Sequence, residues 1–210
     1  MIVAIDGPAG AGKSTVARAL ADRLGFRYLD TGAMYRALTW LALRDGVALS
    51  DGAALSDLAH AHPVGFGEGS TVTVDDADVT AEIRAHRIDG AVSQVARHPE
   101  VREVMRERQR EIAHTRDVVI EGRDIGVVVV PDAELKVWLT ADPAVRAARR
   151  HAERDGTDRE ALARDLHRRD AQDAGNTHRA DDAVDVDTTQ LTLDGVIEVV
   201  VALVAERRLA

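Results

Sequence analysis

The residues with the clearest chemical role lie near the start of the chain, where positions 7–15 read Gly-Pro-Ala-Gly-Ala-Gly-Lys-Ser-Thr. This stretch fits G-x-x-x-x-G-K-[ST], the phosphate-binding P-loop, with every fixed position filled. The backbone N–H groups of such a loop converge on phosphate oxygens at the positive end of a helix dipole. Lys13 is expected to reach the β- and γ-phosphates, and the Ser14 hydroxyl is expected to ligate Mg²⁺. The alternative is a glycine-rich turn with an exposed lysine.

The segments on either side of this loop favour the first interpretation. Residues 2–5 form a short apolar run, long enough for a buried strand but too short for a helix. After the loop, Val16, Leu20 and Leu24 recur every four residues and mark one apolar face of a helix. Because the motif requires strand, loop and helix in this order, the sequence predicts binding of a nucleoside triphosphate. The predicted contacts come from nine consecutive residues: Gly7, Pro8, Ala9, Gly10, Ala11, Gly12, Lys13, Ser14 and Thr15.

A second charged group follows another apolar run at 118–120. Glu121, Arg123 and Asp124 stand there among glycines, which is unusual for a structural turn. In open α/β sheets, ligands bind outside the carboxyl ends of the strands. Glu121 is therefore expected to hold a Mg²⁺-bound water, while Arg123 and Asp124 face the substrate. The alternative is an internally neutralised ion cluster.

Arginines elsewhere also have two interpretations. Arg36 lies in the first turn of a predicted helix, where a cation opposes the helix dipole unless it holds an anionic ligand. Two arginine-rich helices, one starting at Pro143 and one over 159–173, are joined by a polar tip and suggest a lid over phosphates. Arg149 on the first of them is predicted to act in catalysis with Lys13 and Arg123. Solvated surface arginines and a salt-bridged exposed hairpin are the alternatives.

The composition limits the class of protein. The chain has 210 residues, 45% hydrophobic and 30% charged, which suits one globular domain with an inserted lobe. Its net charge of −9 argues against a duplex nucleic-acid surface. The absence of cysteine excludes disulfides, and no apolar run approaches a membrane span. We expect a cytoplasmic monomer whose partners are small molecules, with neither nucleic acid nor a membrane among them.

The remaining elements follow from hydrophobic periodicity and turn residues. Further strands are predicted at 26–29, 118–120, 135–139 and 183–187, with a small antiparallel meander at 63–79. Further helices are predicted at 51–62, 82–97 and 99–114, and a last helix is predicted to be capped by Asp194.

Taken together, these motifs resemble the bacterial cytidylate kinases, within the nucleoside monophosphate kinases. The resemblance covers residues 2 to 173 and continues at 187–189 after the last strand. The stretches that carry it are Ile-Asp-Gly-Pro at 5–8, Leu-Asp-Thr-Gly-Ala-Met-Tyr-Arg at 29–36, Ala-Val-Ser-Gln-Val-Ala at 91–96, Glu-Gly-Arg-Asp-Ile-Gly at 121–126 and Arg-Arg-Asp at 168–170. The second and fourth are far more specific than the P-loop, which many NTPases share.

The resemblance implies an α/β fold with a five-stranded parallel sheet flanked by helices. It also implies an inserted lobe that binds the nucleoside monophosphate and contains a small antiparallel sheet, and a short helical lid. The boundaries that it suggests are 1–34 with 115–210 for the core, 35–114 for the insertion and 150–172 for the lid.

The resemblance further implies transfer of the γ-phosphoryl group of ATP to CMP or dCMP, with Mg²⁺. Arg36 and Arg123 would hold the acceptor phosphate, and Ser93, Arg102 and Asp124 would read the cytosine edge. Arg169 and Asp173 would hold the sugar. The substrate side would also include Asp30, Thr31 and Tyr35 at the start of the second helix.

Three other functions remain open. The first is a kinase of the same fold for UMP, AMP or shikimate. The second is a GTP-dependent switch, which is disfavoured because 140–143 read Thr-Ala-Asp-Pro where a guanine-reading Asn-Lys-x-Asp element would stand. The third is a nucleotide sensor without turnover.

The chain departs from the family pattern over 174–179, which read Ala-Gly-Asn-Thr-His-Arg. The family has an arginine near position 176 and a Pro-Leu loop after it, and both are missing here. Either Arg179 replaces that arginine or the phosphate contact from this side is weakened. We favour replacement.

Overall fold

The computed structural model describes residues 1–67, 70–152, 164, 168, 170–171 and 174–209. These fall into two compact units. The core unit consists of Met1–Leu29 with Ala113–Ala210, and the second unit is Asp30–Ile112.

The described β-strands and α-helices follow one another along the chain, and three short helical turns lie between them at Glu82–Arg84, Ile125–Val129 and Ala174–Asn176. The strands and helices are β1 (Ile2–Asp6), α1 (Lys13–Leu24), β2 (Arg27–Asp30), α2 (Thr31–Asp45), α3 (Gly52–Ala61), β3 (Val64–Phe66), β4 (Val72–Val74), β5 (Ala77–Asp78), α4 (His86–Ala96), α5 (Pro99–Ala113), β6 (Val118–Glu121), β7 (Leu135–Thr140), α6 (Pro143–Ala152), β8 (Val184–Asp187) and α7 (Leu193–Leu209).

The core unit is built on a five-stranded sheet in the order β2-β6-β1-β7-β8. The central strand β1 pairs in parallel with β6 and with β7, and β7 pairs in parallel with β8. This confirms the predicted α/β fold with a five-stranded parallel sheet. Parallel pairing brings the carboxyl ends of the strands to one edge, and the P-loop follows β1 there.

Buried apolar side chains stabilise the sheet. Every residue of β1 is buried, as expected for a central parallel strand. One buried cluster joins the sheet to α1 and α7, with Val3, Leu20, Val137 and Val200 among its members. Helix α1 contributes Val16 and Leu20, the apolar positions predicted from the sequence.

The turn from β1 into the P-loop requires a glycine. Gly7 has φ of 149°, and a Cβ atom there would lie 2.2 Å from the carbonyl oxygen of Leu139 on β7. Because that oxygen belongs to the backbone of a paired strand, it cannot move away cheaply. The close approach of Gly7 to β7 therefore fixes where the loop begins.

The second unit combines helices with a small antiparallel sheet in the order β3-β4-β5. The sheet confirms the meander predicted over 63–79. Its buried Val72 and Val74 pack with Ala37 and Leu41 of α2, and the other face of α2 packs in a separate cluster with Val101 and Met105 of α5.

Two of the predicted helices differ from the structure at a boundary or a cap. The predicted helix over 82–97 is a short 3₁₀ turn, Glu82–Arg84, and then α4, with extended backbone at Ala85 (ψ 146°) between them. Ile83 and Ile88 are both fully buried, and on one continuous helix they would point about 140° apart. The break allows both side chains into the interior.

The second error concerns the start of the last helix. Helix α7 begins at Leu193, and the hydroxyl of Thr192 accepts a hydrogen bond from the Gly195 N–H at 3.1 Å. Thr192 is therefore the cap, and Asp194 lies in the first turn.

Within the described ranges, no helix is both long and apolar enough to cross a membrane.

Candidate functional site

The P-loop presents its lysine at the end of β1 and the start of α1. Gly12 has φ of 91°, and helix α1 begins at the next residue. The Lys13 ammonium donates a hydrogen bond to the Pro8 carbonyl at 2.9 Å, so the backbone of the loop holds the lysine side chain in place. Ser14 and Thr15 are exposed at the first turn of α1. The loop geometry is that of an anion site.

The surroundings of Lys13 disfavour its charged form. Burial of the ammonium, followed by the nearby charge of Arg123, lowers the pKa of Lys13 from 10.5 to about 8. Glu121, Asp6 and Asp170 oppose this shift with their negative charges. Two cations are thus held near each other before any anion arrives. A phosphate between them would relieve the repulsion.

Glu121 ends β6 next to the P-loop strand. The parallel register places it opposite Ile5 of β1, and the Tyr28 hydroxyl of β2 donates to its carboxylate at 3.0 Å. Glu121 is only 4% exposed. A buried carboxylate that is held by a hydroxyl is well suited to accept from a metal-bound water.

The next residues form a charged loop, which we define as 122–126. Arg123 is half-buried and Asp124 is buried. At the end of this loop the carboxylate of Asp6 accepts hydrogen bonds from the N–H groups of Ile125 at 2.9 Å and Gly126 at 2.8 Å. Burial raises the pKa of Asp6 to about 6, although these two bonds act to lower it.

Helix α6 brings two arginines to the P-loop. Arg149 donates to the hydroxyl and the carbonyl of Thr188, both at 2.8 Å, and makes a longer contact of 3.5 Å with the Ala11 carbonyl. Arg146 donates to the Ala9 carbonyl at 2.8 Å and to Asp170 at 2.7 Å. Both guanidinium groups therefore lie beside the phosphate-binding backbone, and Arg149 is one of the predicted catalytic residues.

A cavity of about 460 Å³ opens beside the P-loop. Its lining combines the loop and the start of α1 with Arg149, Thr188, Leu191, Leu193 and Val196. One end is thus polar and rich in backbone N–H groups, and the other is aliphatic. Such a lining suits a ligand with an anionic part and a flat apolar part.

The second unit holds the predicted substrate residues Arg36, Asp30, Thr31, Tyr35, Ser93 and Arg102. Arg36 forms an ion pair with the buried carboxylate of Asp89 at 2.5 Å and donates to the Ile83 carbonyl at 3.3 Å. That carbonyl is available because the chain leaves helical geometry at Ala85. Arg36 is the sixth residue of α2 and therefore lies in its second turn, not in the first turn as predicted. Its guanidinium is already oriented by an anion.

The other predicted residues of this unit occupy helix starts and helix faces. Asp30 caps α2 by accepting from the Ala33 N–H at 2.9 Å, and Thr31, which follows it, is buried. Tyr35 lies half-buried one turn later, and Ser93 and Arg102 are half-buried on α4 and α5. Arg169 and Asp173, together with most of the predicted lid over 150–172 and of the helix over 159–173, lie outside the described residues.

Arg179 is engaged in a turn. Its guanidinium makes two hydrogen bonds to Asp185, both at 2.8 Å, and donates to the carbonyls of Ala180 at 2.9 Å and Ala183 at 2.6 Å. These contacts all lie within seven residues of chain and stabilise the entry into β8. They favour a structural role for Arg179 over the predicted replacement of the missing arginine.

Comparisons with known proteins identify the family of this chain. A family model described as cytidylate kinase matches residues 3–206. A protein of Streptomyces griseus named cytidylate kinase is 47% identical over 219 residues, which is 100% of this chain and 95% of the relative. Relatives of the same name from Geobacillus sp. and Streptococcus pneumoniae are 45% and 44% identical; they cover 98% and 99% of this chain and 96% and 98% of their own length. The chain belongs to the cytidylate kinase family.

Solved structures of lower similarity share the fold of this cytidylate kinase family member. Shikimate kinase from Bacteroides thetaiotaomicron aligns with a TM-score of 0.51 at 17% identity, over 98% of both chains. A gluconokinase from Sinorhizobium meliloti aligns with a TM-score of 0.53 at 15% identity, over 97% of this chain and 91% of the other. An uncharacterized protein from Eubacterium ventriosum aligns with a TM-score of 0.57 at 12% identity, over 98% of both.

In each unit of this family member, the structure shows residues that contact predicted site residues or their loops and that sequence reasoning did not select. Asp6 bonds to the charged loop, Arg146 contacts the P-loop backbone, and Asp89 pairs with Arg36. Asp6 had a signal, since it is a charged residue that ends an otherwise apolar strand. Arg146 also had a signal, since it lies on the arginine-rich helix that starts at Pro143. Asp89 had none, because its partner Arg36 lies on another helix.

The lowered pKa of Lys13 has a measurable effect on stability in the protein without nucleotide or metal. Below pH 8 the folded state must hold a charged, partly desolvated ammonium, whereas the unfolded state binds the same proton up to pH 10.5. Stability should therefore rise as the pH rises from 8 towards 10.5. Lys13→Met should raise the Tm at pH 7, and this gain should shrink by pH 9.5.

Thermal melts in the presence of a chelator test this prediction. Lys13→Arg is the matched control, because it keeps a permanent charge and should give no such gain. A Lys13→Met variant that melts below the wild type at pH 7 would contradict the conclusion that the charged Lys13 ammonium destabilises the folded state.

Proposed function

We propose that this chain transfers the γ-phosphoryl group of ATP to CMP or dCMP, giving ADP and CDP or dCDP. The observation that supports this most directly is the register of Ile5 opposite Glu121, because it makes the P-loop and the charged loop leave the sheet side by side. One loop has the form of a donor-phosphate site, and the other supplies a cation and a carboxylate for an acceptor. Relatives that match the whole chain are named cytidylate kinase.

The donor nucleotide fits the core unit. The backbone N–H groups of residues 7–15 would surround the triphosphate, and Lys13 would neutralise its β- and γ-oxygens. The cavity beside the loop would take the nucleoside, with the base against Leu191, Leu193 and Val196. Arg149, which is hydrogen-bonded to Thr188, lines this cavity.

Transfer would depend on position and charge. The transferring group carries its charge on equatorial oxygens and needs little covalent chemistry, so fixed cations provide most of the stabilisation. Lys13, Arg123 and Arg149 are the proposed cations, and Arg146 is added because it contacts the same backbone at Ala9. No protein general base is proposed.

The residues present fit a Mg²⁺ ion. The exposed Ser14 hydroxyl is a suitable direct ligand, and the buried Glu121 carboxylate is suited to hold a metal-bound water. Within the described residues, no group of three or more His, Cys, Asp or Glu side chains forms a metal site. Most of the ligands would therefore be phosphate oxygens and waters, as Mg²⁺ prefers. The ion supplies neutralisation of phosphate charge.

The acceptor nucleotide would be recognised through its phosphate charge and through the hydrogen-bonding groups of its base. Arg36 and Arg123 are the proposed ligands of its phosphate, since planar guanidinium forks match phosphate oxygens. Ser93, Arg102 and Asp124 are proposed to read the base, because the exocyclic amine of cytosine is a donor that suits a carboxylate. Arg169 and Asp173 are proposed for the sugar. Asp30, Thr31 and Tyr35 would support this side through the start of α2.

An ADP-release assay with ATP and a panel of acceptors tests the proposal. CMP and dCMP should be phosphorylated fastest, and UMP, AMP and shikimate should react at least tenfold more slowly. Lys13→Ala should lower kcat about a hundredfold or more because a preorganised charge on the transferring group is lost. ATP turnover that no acceptor stimulates would favour a sensor, and a faster rate with another acceptor would identify a different kinase.

Asp124→Ala should impair CMP much more than UMP. Uracil presents a carbonyl where cytosine presents an amine, so a carboxylate attracts one base and repels the other. Such a contact is worth about 1–3 kcal/mol, and kcat/KM for the two acceptors measures it. Asp124→Asn should recover part of the UMP activity, because its amide can donate to the uracil carbonyl. Equal losses with both acceptors would place Asp124 on the phosphate side.

Arg179→Ala should change kcat and the KM for CMP by less than about threefold, because the guanidinium is engaged with Asp185 and the turn. The matched variant Asp185→Ala should give the same kinetics and a similar small drop in Tm, as expected for an exposed ion pair. If Arg179 instead reaches a phosphate during turnover, Arg179→Ala should cost about tenfold or more while Asp185→Ala does not. Asn176→Arg, which restores the missing arginine, should then have little effect.

A further inference from the structure

The charged loop is fastened to β1 at both of its ends. At the start, the Gly122 N–H donates to the Ile5 carbonyl at 3.0 Å and continues the pairing of β6 with β1. At the end, the carboxylate of Asp6 accepts the N–H groups of Ile125 and Gly126. Only Arg123 and Asp124 lie between the two attachments. The two residues that hold the loop, Ile5 and Asp6, are the last two before the P-loop.

The second attachment needs a carboxylate. Each oxygen of Asp6 accepts one N–H, at 2.9 Å on one side and 2.8 Å on the other. An asparagine has one acceptor oxygen and would leave one N–H without its bond, and an alanine would leave both. Asp6 is 4% exposed, so water cannot readily replace it, and a buried N–H without a partner is unfavourable.

The surroundings leave the loop little room for another position. Gly126 packs so closely on the aliphatic stem of Lys136 in β7 that a Cβ atom there would lie 3.0 Å from it. The Arg123 carbonyl accepts from the His178 N–H at 3.2 Å, which adds a contact from the segment before β8. Around Asp6 the charged neighbours are Asp124 and Lys13, one on the loop and one on α1.

We propose that Asp6 is a positioning residue for phosphoryl transfer, because it fixes Arg123 and Asp124 relative to the P-loop that directly follows it in the chain. This inference rests on the proposed function, in which Arg123 and Asp124 bind the acceptor. Loss of the Asp6 carboxylate should therefore weaken binding and phosphorylation of CMP. ATP, which residues 7–15 and the adjoining cavity hold, should bind nearly as before. A merely structural role would lower stability without separating the two substrates.

Steady-state kinetics of the full chain with ATP, Mg²⁺ and CMP test this separation. Asp6→Ala should raise the KM for CMP or lower kcat by tenfold or more, with the KM for ATP changed by less than threefold. Asp6→Asn, which keeps one of the two bonds, should lie between this variant and the wild type. Val204→Ala, which opens a cavity in the buried core on α7, is the control for lost stability and should keep both KM values.

Amide hydrogen exchange tests the attachment without reference to any substrate. The N–H groups of Ile125 and Gly126 should exchange at least tenfold faster in Asp6→Ala than in Val204→Ala. In an Arg123→Ala/Asp124→Ala background, adding Asp6→Ala should cost less than threefold in kcat/KM, because the groups that Asp6 positions are gone.

The outcomes separate the two proposals. If Arg123→Ala and Asp124→Ala are impaired with CMP but Asp6→Ala is not, the positioning role is overturned and the proposed function stands. Equal increases in both KM values in Asp6→Ala, or unchanged exchange at Ile125 and Gly126, would overturn it as well. If Arg123→Ala and Asp124→Ala both act like wild type on CMP, the proposed acceptor site fails, and the positioning role fails with it even if the amides exchange faster.

Discussion

The rest of the structure depends on the parallel pairing of β1 along both of its edges. With β6 on one side and β7 on the other, the register of β1 is fixed, and its carboxyl end cannot slide relative to its neighbours. The P-loop begins where Gly7 passes the backbone of β7, and the charged loop begins opposite Ile5. Two loops with different chemistry are thus brought together by the backbone pairing of β1, and the Asp6 carboxylate holds the far end of the charged loop.

This arrangement places like charges close together, and folding alone does not neutralise them. Lys13 and Arg123 repel each other, and three carboxylates compensate only partly. In the proposed function the same cations are preorganised for a polyanion, so little reorganisation would be needed when phosphates bind. Such a site sacrifices some stability of the empty protein for function, which is a common feature of binding and catalytic centres.

The parts that could be predicted from the sequence are those determined by neighbours in the chain. The P-loop, the buried strands and the Pro99 start of α5 each have a local signature, and the structure agrees with them. The break at Ala85 has no such signature, since it results from the burial of Ile83 and Ile88 on different sides of the turn. The same holds for the site. The P-loop can be predicted from its motif, whereas the hydrogen bonds that Asp6 accepts from Ile125 and Gly126 cannot, because these residues are more than a hundred positions away in the chain.

Arg179 illustrates the opposite difficulty. The family pattern predicts that Arg179 binds a phosphate, but a carboxylate six residues away and two nearby carbonyls accept hydrogen bonds from its guanidinium. Short-range partners compete strongly for a long side chain, because closing a short loop costs little entropy. A residue that is present in the right segment is therefore not automatically available.

The ion pair between Arg36 and Asp89 has a consequence for the entropy of binding. Ordering a free arginine side chain costs up to about 2 kcal/mol in lost rotamers. Asp89 and the Ile83 carbonyl already hold this side chain, so that loss is incurred when the second unit folds rather than when an anion binds. An incoming phosphate would share an immobilised guanidinium with Asp89, and its affinity would reflect charge competition more than conformational restriction.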